Sequence, residues 1–211
     1  MMLFTIVALT GCVEDVAKDK VEAIVEDVEA GHEMPAEEAP AAPAGDVWAV
    51  DASKSSVKAL GAKVTATHPI DFGEFEGKLT VADNAVTSVE YTVQVASLVA
   101  DHPKLTAHLM TEDFFNVQAN PTATFKSTEI TAGSDTEGMS HTVKGEMMIM
   151  GQTKVVTFPA NITVTDEGAT ASTEFALDRQ DFGIAYPGKP DDLIQDKVVM
   201  TVALAAMKPS M

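Results

Sequence analysis

The 211-residue sequence has little of several residue classes, and each shortage excludes a kind of protein. Its one cysteine, Cys12, excludes a disulfide within the chain. Basic residues number 14 against 32 acidic ones, and the formal net charge of −18 repels the phosphates of nucleic acids. No apolar run approaches the roughly 20 residues that span a bilayer as a helix. Aromatic residues make up 6% of the chain, so a core must be built largely of Val, Ala, Leu and Met.

A short apolar run precedes Cys12. Residues 3–9 (LFTIVAL) are followed by two small residues, a pattern typical of a signal-peptide core and its cleavage end. Residues 9–12 (LTGC) resemble the bacterial lipobox, in which the signal is cut before a cysteine whose thiol then receives diacylglycerol. The resemblance implies a signal peptide at residues 1–11 and lipid attachment at Cys12. The alternative is a plain thiol near a disordered terminus.

Residues 12–46 are predicted to be an acidic tether, because eleven acids against two lysines give them half of the net negative charge. Apolar residues within residues 21–28 have helical spacing, but Glu22 and Glu26 are like charges one turn apart. Residues 34–45 are rich in Pro, Ala and Glu and cannot pack a core. A disordered spacer is therefore favoured over a partner-binding helix, and it would hold a domain off a membrane surface.

From residue 47 to 211, apolar and polar residues alternate. Residues 89–95 (VEYTVQV) are apolar at odd positions, and residues 156–164 (VTFPANITV) are apolar at even ones. A period of two indicates antiparallel sheet with one buried face. Turn residues divide this region into about eight segments, which predicts an all-β antiparallel barrel. The predicted strands are residues 57–67, 73–82, 89–95, 122–130, 141–150, 156–164, 171–177 and 200–206.

One stretch breaks the alternation. Residues 103–110 (PKLTAHLM) place Leu105, His108 and Leu109 on one helical face. The sequence predicts a short helix against one barrel end, with Phe114 and Phe115 plugging that end.

Five motifs between Trp48 and Ala206 resemble those of the YceI-like family of polyisoprenoid-binding proteins. They are residues 48–51 (WAVD), 73–79 (GEFEGKL), 108–127 (HLMTEDFFNV, then PTATFKS), 145–154 (GEMMIMGQTK) and 178–184 (DRQDFGI). The resemblance implies a lipocalin-like barrel that carries an isoprenoid lipid. Leu105 and Thr106 stand where family members usually carry Arg-Asp, which leaves the class of lipid open.

The candidate ligand site is the interior of this barrel. Each buried methylene contributes about 0.8 kcal/mol, so a long apolar chain can bind without polar recognition. The apolar candidates for the lining, any of which could instead only fill the core, are Phe72, Phe75, Phe114, Phe115, Phe125, Phe158, Phe175, Phe182 and Met147, with Met148 and Met150. His108 and Arg179 are candidates for contact with a lipid head group at the barrel mouth. Asp178 or Asp181 is an equally good partner for Arg179.

These features predict a non-enzymatic protein that binds, sequesters or transports an isoprenoid lipid of the quinone or polyprenyl phosphate type. No G-x-S-x-G elbow and no compact histidine motif is present, so no catalytic site, metal or cofactor is expected. Expected partners are the lipid, a membrane through acylated Cys12, and a second copy in a homodimer. The expected location is the periplasmic or cell-surface side of a bacterial membrane, and Val13 after the cysteine favours the outer membrane. The alternative is a structural or protein-interaction lipoprotein of the envelope whose barrel is packed shut.

Overall fold

The computed structural model describes residues 13–28 and 45–209. Short 3-10 helices occur at Ala52–Lys54, Val95–Ser97 and Arg179–Phe182, and the α-helix, α1, spans Pro103–Leu109. The strands are β1 (Ile24–Asp27), β2 (Asp46–Ala49), β3 (Ser56–Lys63), β4 (Ala66–Phe72), β5 (Phe75–Ala82), β6 (Ala85–Gln94), β7 (Leu98–Ala100), β8 (Thr122–Ala132), β9 (His141–Ile149), β10 (Gln152–Val164), β11 (Gly168–Asp178), β12 (Gly188–Lys189), β13 (Asp192–Leu193) and β14 (Lys197–Met207).

One antiparallel sheet curls into a half-barrel. Its strand order is β2-β5-β6-β8-β9-β10-β11-β14-β3-β4-β7, and β12 and β13 form a separate ribbon. β5 and β4 are each the second strand from an end of the sheet, and only Gly73 and Glu74 connect them. The two ends of the sheet therefore lie close together. Val50, just after β2, also bridges Ala206 of β14. The predicted all-β antiparallel barrel with one short helix is confirmed.

Two tight turns fix the register of neighbouring strands. Asp83 and Asn84 join β5 to β6, and Met150 and Gly151 join β9 to β10, all four with positive φ. Positive φ at both central residues suits the two-residue hairpin whose twist matches that of the strands. The single strand predicted over residues 57–67 is wrong, because the chain turns between β3 and β4 inside that range.

Residues 13–28, here called the N-terminal strap, are part of the folded structure. β1 pairs antiparallel with the first half of β10, with Ile24 opposite Thr157. On its other side, the backbone N–H of Ala23 donates to the carbonyl of Ala176 on β11 at 2.9 Å. β10 and β11 pair with each other only over residues 161–164 and 169–172. The strap therefore fills the wall of the barrel where these two strands separate.

The prediction of a disordered spacer is wrong for the strap, and its charges show why. The like charges Glu22 and Glu26 reach different lysines of the barrel, Lys197 and Lys144. Ala23 is buried in the core while its neighbour Ile24 is 62% exposed, the alternation of a strand rather than a helix. Backbone hydrogen bonds to two neighbouring strands complete the stabilisation.

Several predicted features lie outside the described residues. These are the signal peptide at residues 1–11, the lipid attachment at Cys12, and the part of the predicted spacer at residues 29–44. Among the residues that are described, no helix has the length and apolar character needed to cross a membrane.

Candidate functional site

The barrel contains a cavity of about 630 Å³ at the end where α1 lies. The exposed and half-exposed polar residues of its lining lie on and around α1, next to the turn joining β3 to β4, and on the β12–β13 ribbon, so we infer that the cavity opens to solvent between these three segments. Its walls are aliphatic and aromatic side chains contributed by most strands of the sheet. The apolar residues of the wall include Val57, Ala59, Ile70, Phe72, Val93, Leu105, Leu109, Ala123, Met147, Ile149, Leu177, Phe182, Ile184, Val198 and Met200.

Aromatic rings fill the opposite half of the barrel. Phe158 stacks on Phe175 with ring centroids 4.4 Å apart, and Phe125 packs against Phe158 at 5.3 Å. Tyr91 lies between this stack and the cavity, 5.6 Å from Phe125. Burial raises the pKa of the Tyr91 phenol, which is uncharged at neutral pH even without this shift, so Tyr91 contributes no charge to the floor of the cavity. The cavity is thus closed at one end and open at the other.

Local sequence sets the position of α1 at the mouth. His102 caps the helix, its Nδ1 accepting from the backbone N–H of Lys104 at 3.2 Å, and Pro103 occupies the first turn, where no N–H partner is needed. After the helix, the backbone N–H of Phe115 returns to the carbonyl of Leu109 at 3.0 Å. This turn places the rings of Phe114 and Phe115 in the cavity wall, where they line the opening instead of plugging it.

His108 lies at the rim of the mouth. Its Nε2 is 2.7 Å from a carboxylate oxygen of Asp113. The imidazole contacts Phe114 and Tyr186 edge-on, with ring centroids 5.0 and 5.1 Å away. The side chain is 38% exposed, so it faces both the cavity and solvent.

Arg179 reaches the cavity wall, but its guanidinium forms its hydrogen bonds with other groups of the protein. Nε donates to the carbonyl of Gln195 at 3.1 Å, Nη1 donates to the carbonyl of Ile184, and Nη2 donates to Asp196 at 3.0 Å. The residue is 6% exposed. The partner is thus neither Asp178 nor Asp181. Because these bonds tie together the two ends of the loop that carries β12 and β13, we assign Arg179 a structural role.

Seven of the thirteen candidate ligand-site residues line the cavity, whereas Met148, Met150 and four phenylalanines do not. The seven are Phe72, His108, Phe114, Phe115, Met147, Arg179 and Phe182. Three of these four phenylalanines, Phe125, Phe158 and Phe175, belong to the aromatic stack at the closed end. The fourth, Phe75, packs half-buried against the core outside the cavity. Sequence reasoning missed Tyr186, because the residues around it carry no periodic pattern.

The charged residues of the cavity are mostly basic, in a chain of net charge −18. Besides Arg179 they are Lys63, Lys104 and Lys189, whereas the one acidic residue of the lining is Asp192. Lys63 is paired with Asp192, and its hydrogen bond holds the pKa of that carboxyl below its ordinary value. Within residues 13–28 and 45–209, Lys104 and Lys189 make no salt bridge.

The arrangement suits an elongated molecule with one polar end. Its apolar chain would occupy the cavity, while its polar end would lie at the mouth beside lysine and histidine side chains. In the described ranges, no three His, Cys, Asp or Glu side chains cluster in a metal-binding arrangement.

Known proteins share this barrel and its sequence pattern. The family model described as "YceI-like domain" matches residues 48–206. The chain belongs to the YceI-like family. A UPF0312 protein of Pseudomonas aeruginosa is 36% identical over 93 residues, 43% of this chain and 47% of that protein. A UPF0312 protein of Vibrio cholerae is 32% identical over 125 residues, 56% of this chain and 65% of that protein. Each match therefore spans less than two thirds of the relative.

Two solved structures show the same fold as the YceI-like domain. Burkholderia cenocepacia BcnA superposes with a TM-score of 0.65 at 23% identity, covering 74% of this chain and 99% of that chain. A polyisoprenoid binding domain from Saccharophagus degradans, implicated in plant cell wall breakdown, gives a TM-score of 0.62 at 12% identity, covering 77% of this chain and 98% of that one. The N-terminal strap precedes the residues that the family model matches.

Proposed function

We propose that this YceI-like domain binds a long apolar lipid of the isoprenoid type and sequesters or transports it without catalysing a reaction. The observation that carries the proposal is the apolar cavity of about 630 Å³, closed at one end by aromatic rings and open at the other. The name of the Saccharophagus degradans neighbour, a polyisoprenoid binding domain, supports the same ligand class.

The cavity volume sets the length of chain that fits. A buried apolar cavity of about 150 Å³ holds one benzene molecule, which corresponds to about 25 Å³ for each carbon atom. At that density the 630 Å³ cavity has room for about 25 carbons, or about five isoprene units. Longer chains would leave their remaining units at the mouth.

The charges at the mouth favour an anionic head group over a neutral quinone. Lys104 and Lys189 line the opening and have no acidic partner in the described residues, so either can pair with a phosphate oxygen. His108 lies at the same rim, with its imidazole held by Asp113. We therefore place a polyprenyl phosphate ahead of a quinone as the ligand.

The alternative of a barrel packed shut is not supported by the cavity. Only the half that contains Phe125, Phe158 and Phe175 is filled by side chains. A structural or protein-interaction role would leave the apolar walls of the other half without a function.

We further propose that Cys12 is acylated and anchors the domain on the periplasmic or cell-surface side of a bacterial membrane, with the outer membrane favoured. The support is the lipobox-like LTGC sequence at residues 9–12. Homodimer formation stays a prediction.

A binding experiment tests the choice of head group. Delipidated protein is titrated by calorimetry with a five-unit polyprenyl phosphate and with the alcohol of the same chain. We expect the phosphate to bind about tenfold more tightly, since a charge-assisted hydrogen bond contributes about 1.5–3 kcal/mol. A Lys104→Glu, Lys189→Glu double variant should lose this preference. The control Lys208→Glu, which follows β14 at the far end of the barrel, should keep it. Equal affinity of the wild type for the two ligands would contradict the anionic assignment.

A further inference from the structure

Both tyrosines of the chain lie in the wall of the cavity, one at each end. Tyr186 is at the mouth, where its ring contacts His108. Tyr91 is at the closed end, where its ring packs against Phe125. The other rings of the aromatic stack at this end are phenylalanines. The ring of the stack that borders the cavity is therefore the one that carries a hydroxyl group.

The side chain of Tyr91 points into the barrel. On the same strand, β6, Val89 and Val93 point the same way and are buried in the core. The intervening Glu90 instead pairs with Lys78 on the outer face. Tyr91 itself is only partly buried, unlike the two valines. Because Tyr91 faces inward and lines the cavity, this accessible surface is open to a molecule inside the barrel.

The Tyr91 hydroxyl has no hydrogen-bond partner among residues 13–28 and 45–209. Burial alone raises its pKa, with no contribution from a charge or a hydrogen bond. A buried tyrosine hydroxyl normally has a partner. A single water is a poor one, because a buried water needs about three polar contacts. The side chains beside Tyr91 in the wall, those of Val93, Ala123 and Met147, are apolar and offer none.

We propose that Tyr91 is a specificity-determining residue, whose hydroxyl donates a hydrogen bond to an uncharged oxygen at the inner end of the bound molecule. The ligand is then an apolar chain with a carbonyl, ether or hydroxyl oxygen at the end opposite its head group. This inference rests on the proposed lipid-binding function and adds a requirement at the end of the cavity far from Lys104 and Lys189. A charged oxygen is unsuitable there, because burying an unpaired charge costs far more than one hydrogen bond returns.

The hydroxyl discriminates between ligands because the floor of the cavity is dry when a chain fills it. A plain hydrocarbon end excludes water from the hydroxyl and leaves this donor unpaired, which weakens binding. An oxygen at the same end restores the hydrogen bond, and that bond is stronger in an apolar site than in water. The apolar walls thus bind the chain, and Tyr91 selects the chemistry of its inner end.

Calorimetry with two matched ligands tests this hydrogen bond. Delipidated full-length protein is titrated with a five-unit polyprenyl phosphate, the length that about fills the cavity, and with the same phosphate carrying a ketone on its last unit. We expect the wild type to bind the ketone about tenfold more tightly. Tyr91→Phe should lose this preference, because it keeps the ring and removes the donor. Tyr186→Phe is the matched control, since it removes the same hydroxyl at the mouth and should shift both affinities equally.

The outcomes separate this inference from the proposed function. Equal affinity of the wild type for the two ligands, or a preference that persists in Tyr91→Phe, would overturn the role of Tyr91 and leave lipid binding standing. A wild type that binds neither ligand would refute both. Isotope-edited infrared spectra of the bound ketone give a second readout. The C=O band should lie at lower frequency in the wild type than in Tyr91→Phe, because a hydrogen bond weakens the C=O bond. The same frequency in both proteins would contradict the hydrogen bond.

Discussion

Filling the cavity with one ring should shorten the lipid that the domain accepts. Gly61 lies on β3, two residues after Ala59, and both line the cavity. No atom lies within 4 Å of the position that a Cβ at Gly61 would occupy. A Gly61→Phe side chain can therefore enter the cavity without displacing the wall.

The size of the effect follows from volumes. One benzene-sized ring takes about 150 Å³, or about a quarter of the 630 Å³ cavity, and displaces about six carbons. At about 0.8 kcal/mol for each methylene, a ligand that fills the wild-type cavity would lose up to about 5 kcal/mol. A ligand shorter by about one isoprene unit would lose little.

A chain-length series measures this directly. Delipidated wild type and Gly61→Phe are titrated with isoprenoid alcohols of increasing length, and affinity is plotted against the number of units. We expect the wild-type curve to rise and level off near five units, and the Gly61→Phe curve to level off about one unit earlier. Lys58→Phe is the control, because it adds the same ring to the exposed outer face of the same strand. Identical curves for Gly61→Phe and wild type would refute the assignment of this cavity as the binding site.

Three other changes have predicted outcomes. Gly145→Ala should destabilise the fold by about 1–3 kcal/mol in chemical denaturation, since its Cβ would lie 2.6 Å from the ring of Phe125; an unchanged midpoint would contradict this packing. Arg179→Met should lower the free energy of unfolding by about 3 kcal/mol yet keep the bound lipid; loss of lipid in a stable protein would instead make the guanidinium a ligand contact. The hydrogen bond from Lys63 lowers the pKa of Asp192, so its stabilisation exists above about pH 4 and is lost as the pH falls through the folded-state pKa. In the Asp192→Asn variant, the melting temperature should therefore fall less between about pH 5 and pH 3 than in the wild type. An equal fall in the two proteins would contradict the hydrogen bond between Lys63 and Asp192.

The sheet and the helix could be predicted because their signals are local. Of the two alternating segments, residues 89–94 lie in β6 and residues 156–164 lie in β10. The helix predicted at residues 103–110 is present as α1 because a proline at its start and the leucine spacing agree.

The N-terminal strap could not be predicted, because its partners are distant in the sequence. Ile24 pairs with Thr157, and the apolar spacing around Ile24 fits a helix as well as a strand. The gap between β10 and β11 decides in favour of a strand over a helix, because a strand can pair within that gap. Only the folded barrel shows that the gap exists.

The sequence predicted which side chains of the candidate site point into the barrel, but not where along the barrel axis each of them lies. Alternation indicates which side chains point into a barrel, and Phe72 and Phe158 both do so. It does not indicate their height along the barrel axis, so it could not distinguish the cavity wall from the aromatic stack. The partner of Arg179 was missed for a similar reason, because Asp196 returns to it through a ribbon whose sequence shows no strand pattern.

The lipid content of the purified protein tests the central claim most directly. The full chain is isolated from its source organism, its intact mass is measured under native conditions, and the protein is then extracted with chloroform–methanol for lipid mass spectrometry. We predict an isoprenoid at a stoichiometry near one, lost on extraction and restored by adding a polyprenyl phosphate. A protein that carries no lipid and takes up no added isoprenoid would contradict the claim that this cavity is a lipid site.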